Sequence, residues 1–162
     1  MNDPSVHDGA VQPTDNLVAH LLEHYHAGHR RELPQLVALA RKVEANHAHD
    51  INAPHGLTQA LERMKADLEH HMHTDETIVF PALHTGWVGQ LRETLEALRD
   101  DRDAHLETMN RIAAIVHGFR LPFDACRTWT ELYERLGTFA EDLDEHLYLE
   151  GQLLFSKPLP ES

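Results

Sequence analysis

The sequence predicts an all-α fold, an up-down antiparallel bundle of four helices. Along four long stretches of the 162 residues, apolar side chains recur every three to four positions, which is the repeat of an α-helix. No stretch alternates apolar and polar residues for long, and β-branched residues are sparse, which argues against strands. Because the connections between the four stretches are short, successive helices are expected to run antiparallel within one domain.

The first helix is expected to begin after Thr14 and Asp15, which can cap its amino end, and to end near His47. Pro34 lies within this stretch and either kinks the helix or starts a second segment, because proline has no N–H to donate. The apolar stripe of the stretch consists of Leu17, Leu21, Leu22, Tyr25, Leu33, Leu36, Leu39, Ala40 and Val43.

The second helix is expected to follow a connection at residues 48–54, in which Asn52 can cap the helix and Pro54 can occupy its first position. The helix then runs to about Leu83, before a break at 84–86. Its apolar stripe consists of Leu57, Leu61, Met64, Leu68, Met72 and Val79.

The third and fourth helices are expected at about 88–119 and about 124–155. Gly118 and Pro122 end the third helix, whose inward stripe is Leu91, Leu95, Leu98, Arg102, His105, Met109, Ile112 and Val116. The fourth carries Trp129, Leu132, Leu136, Phe139, Leu143, Leu147 and Leu154. The bundle therefore covers residues 15–157, between a flexible N-terminal tail at 1–14 and a C-terminal tail at 158–162.

The charge balance narrows the classes of partner. The chain has 27 Asp and Glu against 14 Lys and Arg, a formal charge of −13, so nucleic acids and anionic membranes are expected to be repelled. No stretch is long and apolar enough for a transmembrane helix, and residues 1–14 lack the apolar core of a signal peptide. A single cysteine excludes an internal disulfide and fits a reducing cytoplasm, where we expect the protein.

The 15 histidines are the feature of the composition that needs an explanation, and two of them pair with carboxylates. His71 and Asp75 are four residues apart on the second helix, and His146 and Glu150 are four apart on the fourth, so each pair stacks on one helix face. One such pair is equally well explained as a solvated ion pair. Two pairs on separate helices of a bundle favour a buried metal site, because mixed histidine and carboxylate sets hold di-iron centres.

The other histidines divide by position. Five lie in the tail or at helix ends, where solvent exposure is the simpler interpretation: His7, His49, His55, His84 and His117. Four more, His20, His24, His26 and His29, are spread around the first helix at about 100° per residue and cannot all face inward. Leu22 and Leu33 place His26 on their side of that helix.

Several short motifs resemble one known family. On the first helix and after it these are residues 24–30 (HYHAGHR) with Leu33-Pro34, then Lys42-Val43-Glu44 with His47. The second helix contributes His71-Met72, Asp75-Glu76 and Phe80-Pro81. The last segment contributes Pro122, Ala125-Cys126, Thr128-Trp129, Leu132-Tyr133, Asp142-Leu143, His146, Leu149-Glu150 and Leu153-Leu154-Phe155. Over residues 17–155 the chain thus resembles the hemerythrin-like proteins called repair of iron centres.

The resemblance implies a non-haem di-iron centre, bridged by an oxo group and carboxylates, inside a four-helix bundle. Mn or Zn are substitutes for iron in such a site. The family responds to nitrosative and oxidative stress, including the restoration of damaged iron–sulfur clusters. Carried over by position, His26, His71 and His146 are terminal ligands, and Asp75 and Glu150 are the bridging pair.

Three departures from the family pattern bear on these expectations. In the family, the bridging carboxylate on the second helix is usually Glu, whereas here it is Asp75, which is one methylene shorter. The adjacent Glu76 points about 100° away from Asp75 around the helix. Typical members carry an additional N-terminal domain with a cysteine pair, and we expect this chain to lack it. An ungapped count back from Cys126 places Arg102, rather than a histidine, at the third-helix ligand position.

Arg102 cannot ligate a metal, because its guanidinium is permanently cationic. His105 lies three residues later on the same stripe, about 4.5 Å further along the axis. Either His105 has taken over as the ligand, which we adopt in the predicted set, or the site has lost one ligand and Arg102 pairs with Asp75 or Glu150. His47 is left out of the set because it lies 21 residues from His26, roughly 31 Å along one helix.

The predicted function is that of a di-iron protein whose open coordination position meets NO, O₂ or peroxide and whose clients are damaged iron–sulfur proteins. Tyr25, His20, Asp67 and Asp101 are candidate partners of the metal ligands. The alternatives are a reversible carrier or sensor of O₂ or NO, which needs more histidines than the aligned positions provide, and a bundle with a degenerate site. Turnover, simple binding and iron delivery remain open at this stage.

Overall fold

A computed structural model describes residues 13–86 and 88–155, and within these ranges the secondary structure is helical throughout. Helix α1 comprises Pro13–His20, a π-helical segment Leu21–His26, and Ala27–Asn46. Helix α2 comprises Leu57–Thr74, a π-helical segment Asp75–Val79, and Phe80–Thr85. Helix α3 is Arg92–Ile115, with single 3₁₀ turns at Val88–Leu91 and His117–Phe119, and helix α4 is Arg127–Phe155.

The four helices pack in a closed ring. Helix α1 contacts α2 and α4, and α3 also contacts α2 and α4, so every helix has two neighbours. This arrangement confirms the predicted all-α four-helix bundle. Helix α1 continues through Pro34, whose ring faces solvent, so no second segment starts at that proline.

The predicted start of α2 is wrong, because the helix begins at Leu57 rather than at Pro54. The free N–H groups at this end are satisfied by Glu44 from α1, whose two carboxylate oxygens accept hydrogen bonds from the backbone N–H of Gly56 (2.8 Å) and of Thr58 (2.6 Å). Gly56 has a φ of 91°, which favours glycine at this turn. Asn52 does not cap the helix, and its N–H donates to Asp50 instead.

The apolar core consists of two clusters that are separated on every helix by buried polar residues. The larger cluster contains the buried apolar side chains of α1 between Leu33 and Val43. Its other members include Met64 and Leu68 of α2, Ile112 of α3 and Leu143 of α4. The smaller contains Leu21, Tyr25, Val79, Phe80, Leu95, Leu98 and Leu154. The polar residues between them therefore form a layer across the bundle, near the middle of α1, α2 and α3 and in the last third of α4.

A helix that crosses a membrane must be both long and predominantly apolar. No helix within residues 13–86 and 88–155 meets both requirements.

The Glu44 cap gives a prediction about stability. Burial alone raises the pKa of Glu44, but the hydrogen bonds from Thr58 and Gly56 lower it overall below its ordinary value of 4.5. A carboxyl group with a lowered folded-state pKa stabilises the fold above its unfolded-state pKa and loses that contribution as the pH falls through the folded-state value. We expect Glu44→Ala to cost about 1 kcal/mol of unfolding free energy near pH 7, and the deficit to shrink below about pH 4.5.

Urea unfolding at a series of pH values measures this difference, with Glu62→Ala as the matched control. Glu62 lies on α2 in an exposed ion pair with Arg41, so its loss is expected to change the unfolding free energy by less than about 0.5 kcal/mol. Equal effects of the two substitutions would contradict the capping role of Glu44.

Candidate metal centre

Seven polar side chains are buried in the layer between the two apolar clusters, and every helix contributes at least one. They are His26 and His29 from α1, His71 and Asp75 from α2, His105 from α3, and His146 and Glu150 from α4. Six of the seven are the residues that the sequence predicted. A buried polar layer of this kind costs free energy unless its groups find partners.

Four of these residues form a compact donor group: His26, Asp75, His146 and Glu150. Each offers one nitrogen or oxygen atom such that all four atoms lie within 4.8 Å of one another. Nε2 of His26 lies 3.5 Å from Oδ2 of Asp75, and Nε2 of His146 lies 3.0 Å from Oε1 of Glu150. These distances leave room for one cation between two imidazoles and two carboxylates.

His71 also contacts both carboxylates, and His105 lies beside His71. Nε2 of His71 is 3.1 Å from Oε2 of Glu150 and 3.4 Å from Oδ2 of Asp75. The His105 ring meets the His71 ring edge to face, with 5.2 Å between the ring centres. Asp75 and Glu150 therefore have histidine neighbours from α1, α2 and α4, and His105 of α3 packs against one of these histidines.

Several buried atoms in this layer have no hydrogen-bond partner among the described residues. They are Nε2 of His26, Nδ1 of His71, both carboxylate oxygens of Asp75, and Nε2 of His105. Buried polar groups in native proteins are almost always hydrogen-bonded, so orphaned donors and acceptors that face each other need another partner. A cation shared by nitrogen and carboxylate oxygen ligands satisfies Nε2 of His26 and the oxygens of Asp75, which lie 3.5 Å apart at their nearest atoms, and the residues present fit such a group.

The pKa values of the buried groups also favour a bound cation. Burial, together with Glu150 nearby, raises the pKa of Asp75. Burial also raises that of Glu150, but His71 and His146 outweigh it and hold the pKa of Glu150 well below its usual range. Burial lowers the pKa of both His26 and His105 to about 4, so both imidazoles are neutral at physiological pH, as metal ligation requires.

Both π-helical segments coincide with this layer. The first ends at His26 and the second begins at Asp75, so each contributes one member of the compact donor group. A π-turn contains an additional residue per turn and changes the direction in which the following side chains point, and such turns are frequent at functional sites. This local widening of α1 and α2 is part of how the donors converge.

Glu76 has a role that the sequence did not indicate. It lies outside the donor group, in agreement with its expected direction, but its Oε2 accepts a hydrogen bond from Nδ1 of His26 at 2.8 Å. Arg30 in turn donates to Glu76 at 2.7 Å and to Glu69 at 2.8 Å. Glu76 thereby orients the His26 ring and leaves Nε2 directed at the donor group.

His29 is the buried polar residue that the sequence analysis missed. Its Nε2 lies 3.0 Å from Nδ1 of His146, away from the donor group. The signal available in the sequence was its spacing of three residues from His26, which places both on one side of a helix.

Arg102 and His47 lie outside the donor group. The Arg102 guanidinium is partly buried beside Gly151, and within the described residues it forms no ion pair with Asp75 or Glu150. His47 lies at the other end of the bundle, 3.4 Å from Sγ of Cys126 and with its ring against Trp129.

The residues expected to support the ligands differ in their positions. Tyr25 stacks on the His146 ring, and His20 meets the edge of Tyr25 from the surface. Asp101 is partly buried and Asp67 is exposed, and both act electrostatically on His105.

Comparison with known proteins assigns this geometry to a family. A family model described as the hemerythrin HHE cation binding domain matches residues 17–157. The chain belongs to the hemerythrin HHE family. This membership agrees with the buried cluster and indicates that the layer binds metal.

Three curated relatives of this hemerythrin-like chain carry the same name. The iron-sulfur cluster repair protein YtfE of Musicola paradisiaca is 32% identical over 156 residues, which cover 96% of this chain and 70% of the relative. Those of Yersinia pestis and Yersinia pseudotuberculosis are each 34% identical over 155 residues, with the same coverage. These relatives confirm the resemblance to the repair of iron centres family.

The raised pKa of Asp75 generates a prediction about the metal-free hemerythrin-like protein. An acid whose folded-state pKa is above its ordinary value of 3.8 must hold a proton to be buried, so stability falls as the pH rises above that value. We expect Asp75→Asn to raise the melting temperature of the metal-free protein by about 3–6 °C at pH 8, and by less at pH 5. The same substitution should abolish most metal uptake.

Differential scanning calorimetry of chelator-treated protein measures the effect. Asp103→Asn, an exposed aspartate on α3, is the control for the change in net charge and should leave both properties near wild type. A lower melting temperature for metal-free Asp75→Asn at pH 8 would show that the carboxyl group stabilises the empty bundle, against this interpretation.

Proposed function

We propose that this chain is a di-iron protein that serves in the repair of damaged iron–sulfur clusters, in response to nitric oxide and oxidative stress. The observation that carries the proposal is the pair of buried carboxylates, Asp75 and Glu150, surrounded by buried histidines from all four helices. The names of the relatives support the repair of iron–sulfur clusters as the process.

In the proposed centre, His26 and His146 would hold one iron, and His71 and His105 would hold the other. Asp75 and Glu150 would supply the carboxylate oxygens of the centre. This assignment adopts His105 as the third-helix ligand, because its orphaned Nε2 lies in the layer and its ring contacts His71. Manganese and zinc are expected to bind the same donors as substitutes.

Bound iron would supply a redox couple and open coordination positions for NO, O₂ or peroxide. The chain's own residues prepare the place for that chemistry. The two carboxylates offset the charge of the cations, and the imidazoles of His26 and His105, which burial keeps neutral, present free nitrogen atoms. Phe80 stacks on His26 and Tyr25 on His146, so apolar ring faces cover the ligands and exclude water from the layer.

The remaining expectations are part of the same proposal. Residues 15–157 act as one functional bundle, and the acidic surface excludes nucleic acid as a partner. The clients are damaged iron–sulfur proteins, and the compartment is the cytoplasm, where such clusters and a single free cysteine are both stable.

Anaerobic reconstitution with ferrous iron, followed by metal counting, tests the composition of the centre. We expect about two irons per wild-type chain and about one in His105→Ala, because that substitution removes one of two imidazoles from the second ion. His117→Ala, which removes an exposed histidine after α3, is the control and should bind as the wild type does.

Near-zero iron in the reconstituted wild type would contradict the metal centre. Unchanged iron in His105→Ala, combined with a gain in Arg102→His, would instead identify a centre that has lost its third-helix ligand.

A repair assay tests the process. A [4Fe–4S] enzyme inactivated by nitric oxide is incubated with the iron-loaded protein, and its recovered activity is followed. We expect recovery with wild type and at least a tenfold loss of the recovery rate in Glu150→Gln, which removes a shared carboxylate. Equal recovery with the same amount of free iron would contradict repair, and reversible O₂ or NO binding without recovery would favour the carrier.

A further inference from the structure

His29 differs from the other six buried polar residues because it lies behind a ligand. It is on α1, three residues after His26, and is 2% exposed. Its Nε2 lies 3.0 Å from Nδ1 of His146, whereas the other nitrogen of His146 lies 3.0 Å from Glu150 in the donor group. The two nitrogens of His146 therefore have different partners on opposite sides of the ring.

The hydrogen bond between the two rings has a defined direction when His146 is a ligand. An imidazole that binds a metal through Nε2 carries its remaining proton on Nδ1, and the partner of that N–H fixes the rotation of the ring. Nδ1–H of His146 then donates to Nε2 of His29, which must be unprotonated. Burial and the neighbouring His146 lower the pKa of His29 to about 3, in agreement with a neutral acceptor.

The position of the His29 ring is itself fixed by its neighbours. Phe139 of α4 meets it at a steep angle with 5.2 Å between ring centres, and Tyr25 lies at 6.4 Å on α1. A ring held by two aromatic side chains can present its nitrogen to His146 at little further cost in side-chain entropy.

The two histidines of the compact donor group consequently have different supports. Nδ1 of His26 donates to the carboxylate of Glu76, which Arg30 holds in place. Nδ1 of His146 faces the neutral ring of His29. A carboxylate partner increases the basicity of a ligating imidazole more than a neutral acceptor does, so His26 is expected to be the stronger ligand.

We propose that His29 is a positioning residue, which accepts a hydrogen bond from Nδ1–H of His146 and so directs Nε2 of that ligand at the metal. The inference rests on the proposed function, because it requires that the donor group hold an ion. It adds a residue that sets the orientation of His146, and it gives His146 a different hydrogen-bond partner from that of His26.

Two substitutions of His29 separate positioning from packing. His29→Leu keeps an apolar side chain of similar length but removes the acceptor, and iron release to a competing chelator is expected to become about 10–100-fold faster. His29→Gln places an amide oxygen near the position of Nε2 and is expected to restore release to within about threefold of wild type. His49→Leu, at an exposed histidine in the turn after α1, is the control and should not alter release.

A second measurement detects the hydrogen bond directly, and its wild-type spectrum is informative without any variant. In the zinc-loaded, diamagnetic protein, ¹⁵N-edited NMR should show a protected Nδ1–H on His146 in wild type and in His29→Gln. That signal should be lost or exchange rapidly in His29→Leu. The melting temperatures of the metal-free variants show whether His29→Leu folds. If His29→Leu does not fold, the wild-type spectrum still shows which nitrogen of His146 carries the proton.

The outcomes distinguish this inference from the proposed function. A wild-type chain that takes up neither iron nor zinc overturns both. A loaded wild type with the remaining proton of His146 elsewhere than on Nδ1, or with release from folded His29→Leu at the wild-type rate, overturns the role of His29 alone.

Discussion

The structure depends on the burial of two carboxylates, Asp75 from α2 and Glu150 from α4, at one level of the bundle. Two such groups in an apolar interior are unfavourable unless a positive charge or a proton accompanies them. The chain surrounds them with histidines rather than with lysine or arginine, and burial lowers the pKa of His26 and of His105 to about 4, so these two imidazoles leave positive charge to be supplied by a cation. The hemerythrin HHE family, to which the chain belongs, is described by that cation binding.

The rest of the bundle is arranged to tolerate this polar layer. On every helix, apolar clusters lie on both sides of the polar layer. The fold is therefore stabilised by the packing of these two clusters, and the residues of the layer can serve binding. The π-helical segments at Leu21–His26 and Asp75–Val79 redirect side chains into the layer. Glu76 and Arg30 hold His26 from outside, so the donors are positioned before any ion binds.

The sequence was sufficient for the features that depend on periodicity. Apolar repeats located four helices, and the spacing of four between His71 and Asp75 and between His146 and Glu150 located the layer. It could not show that Glu44 caps α2, because that contact joins two helices and moves the start of α2 to Leu57. His29 was missed because His20, His24, His26 and His29 cannot all face inward, and the spacing of three from His26 alone did not select it among them.

The central claim is that the two carboxylates and the histidines around them hold a pair of iron ions. Crystals of the iron-loaded protein, measured at the iron absorption edge, test it most directly through anomalous difference density. We expect two peaks about 3–4 Å apart between Asp75 and Glu150, one beside His26 and His146 and the other beside His71 and His105. A single peak, or density only at surface histidines, would contradict it.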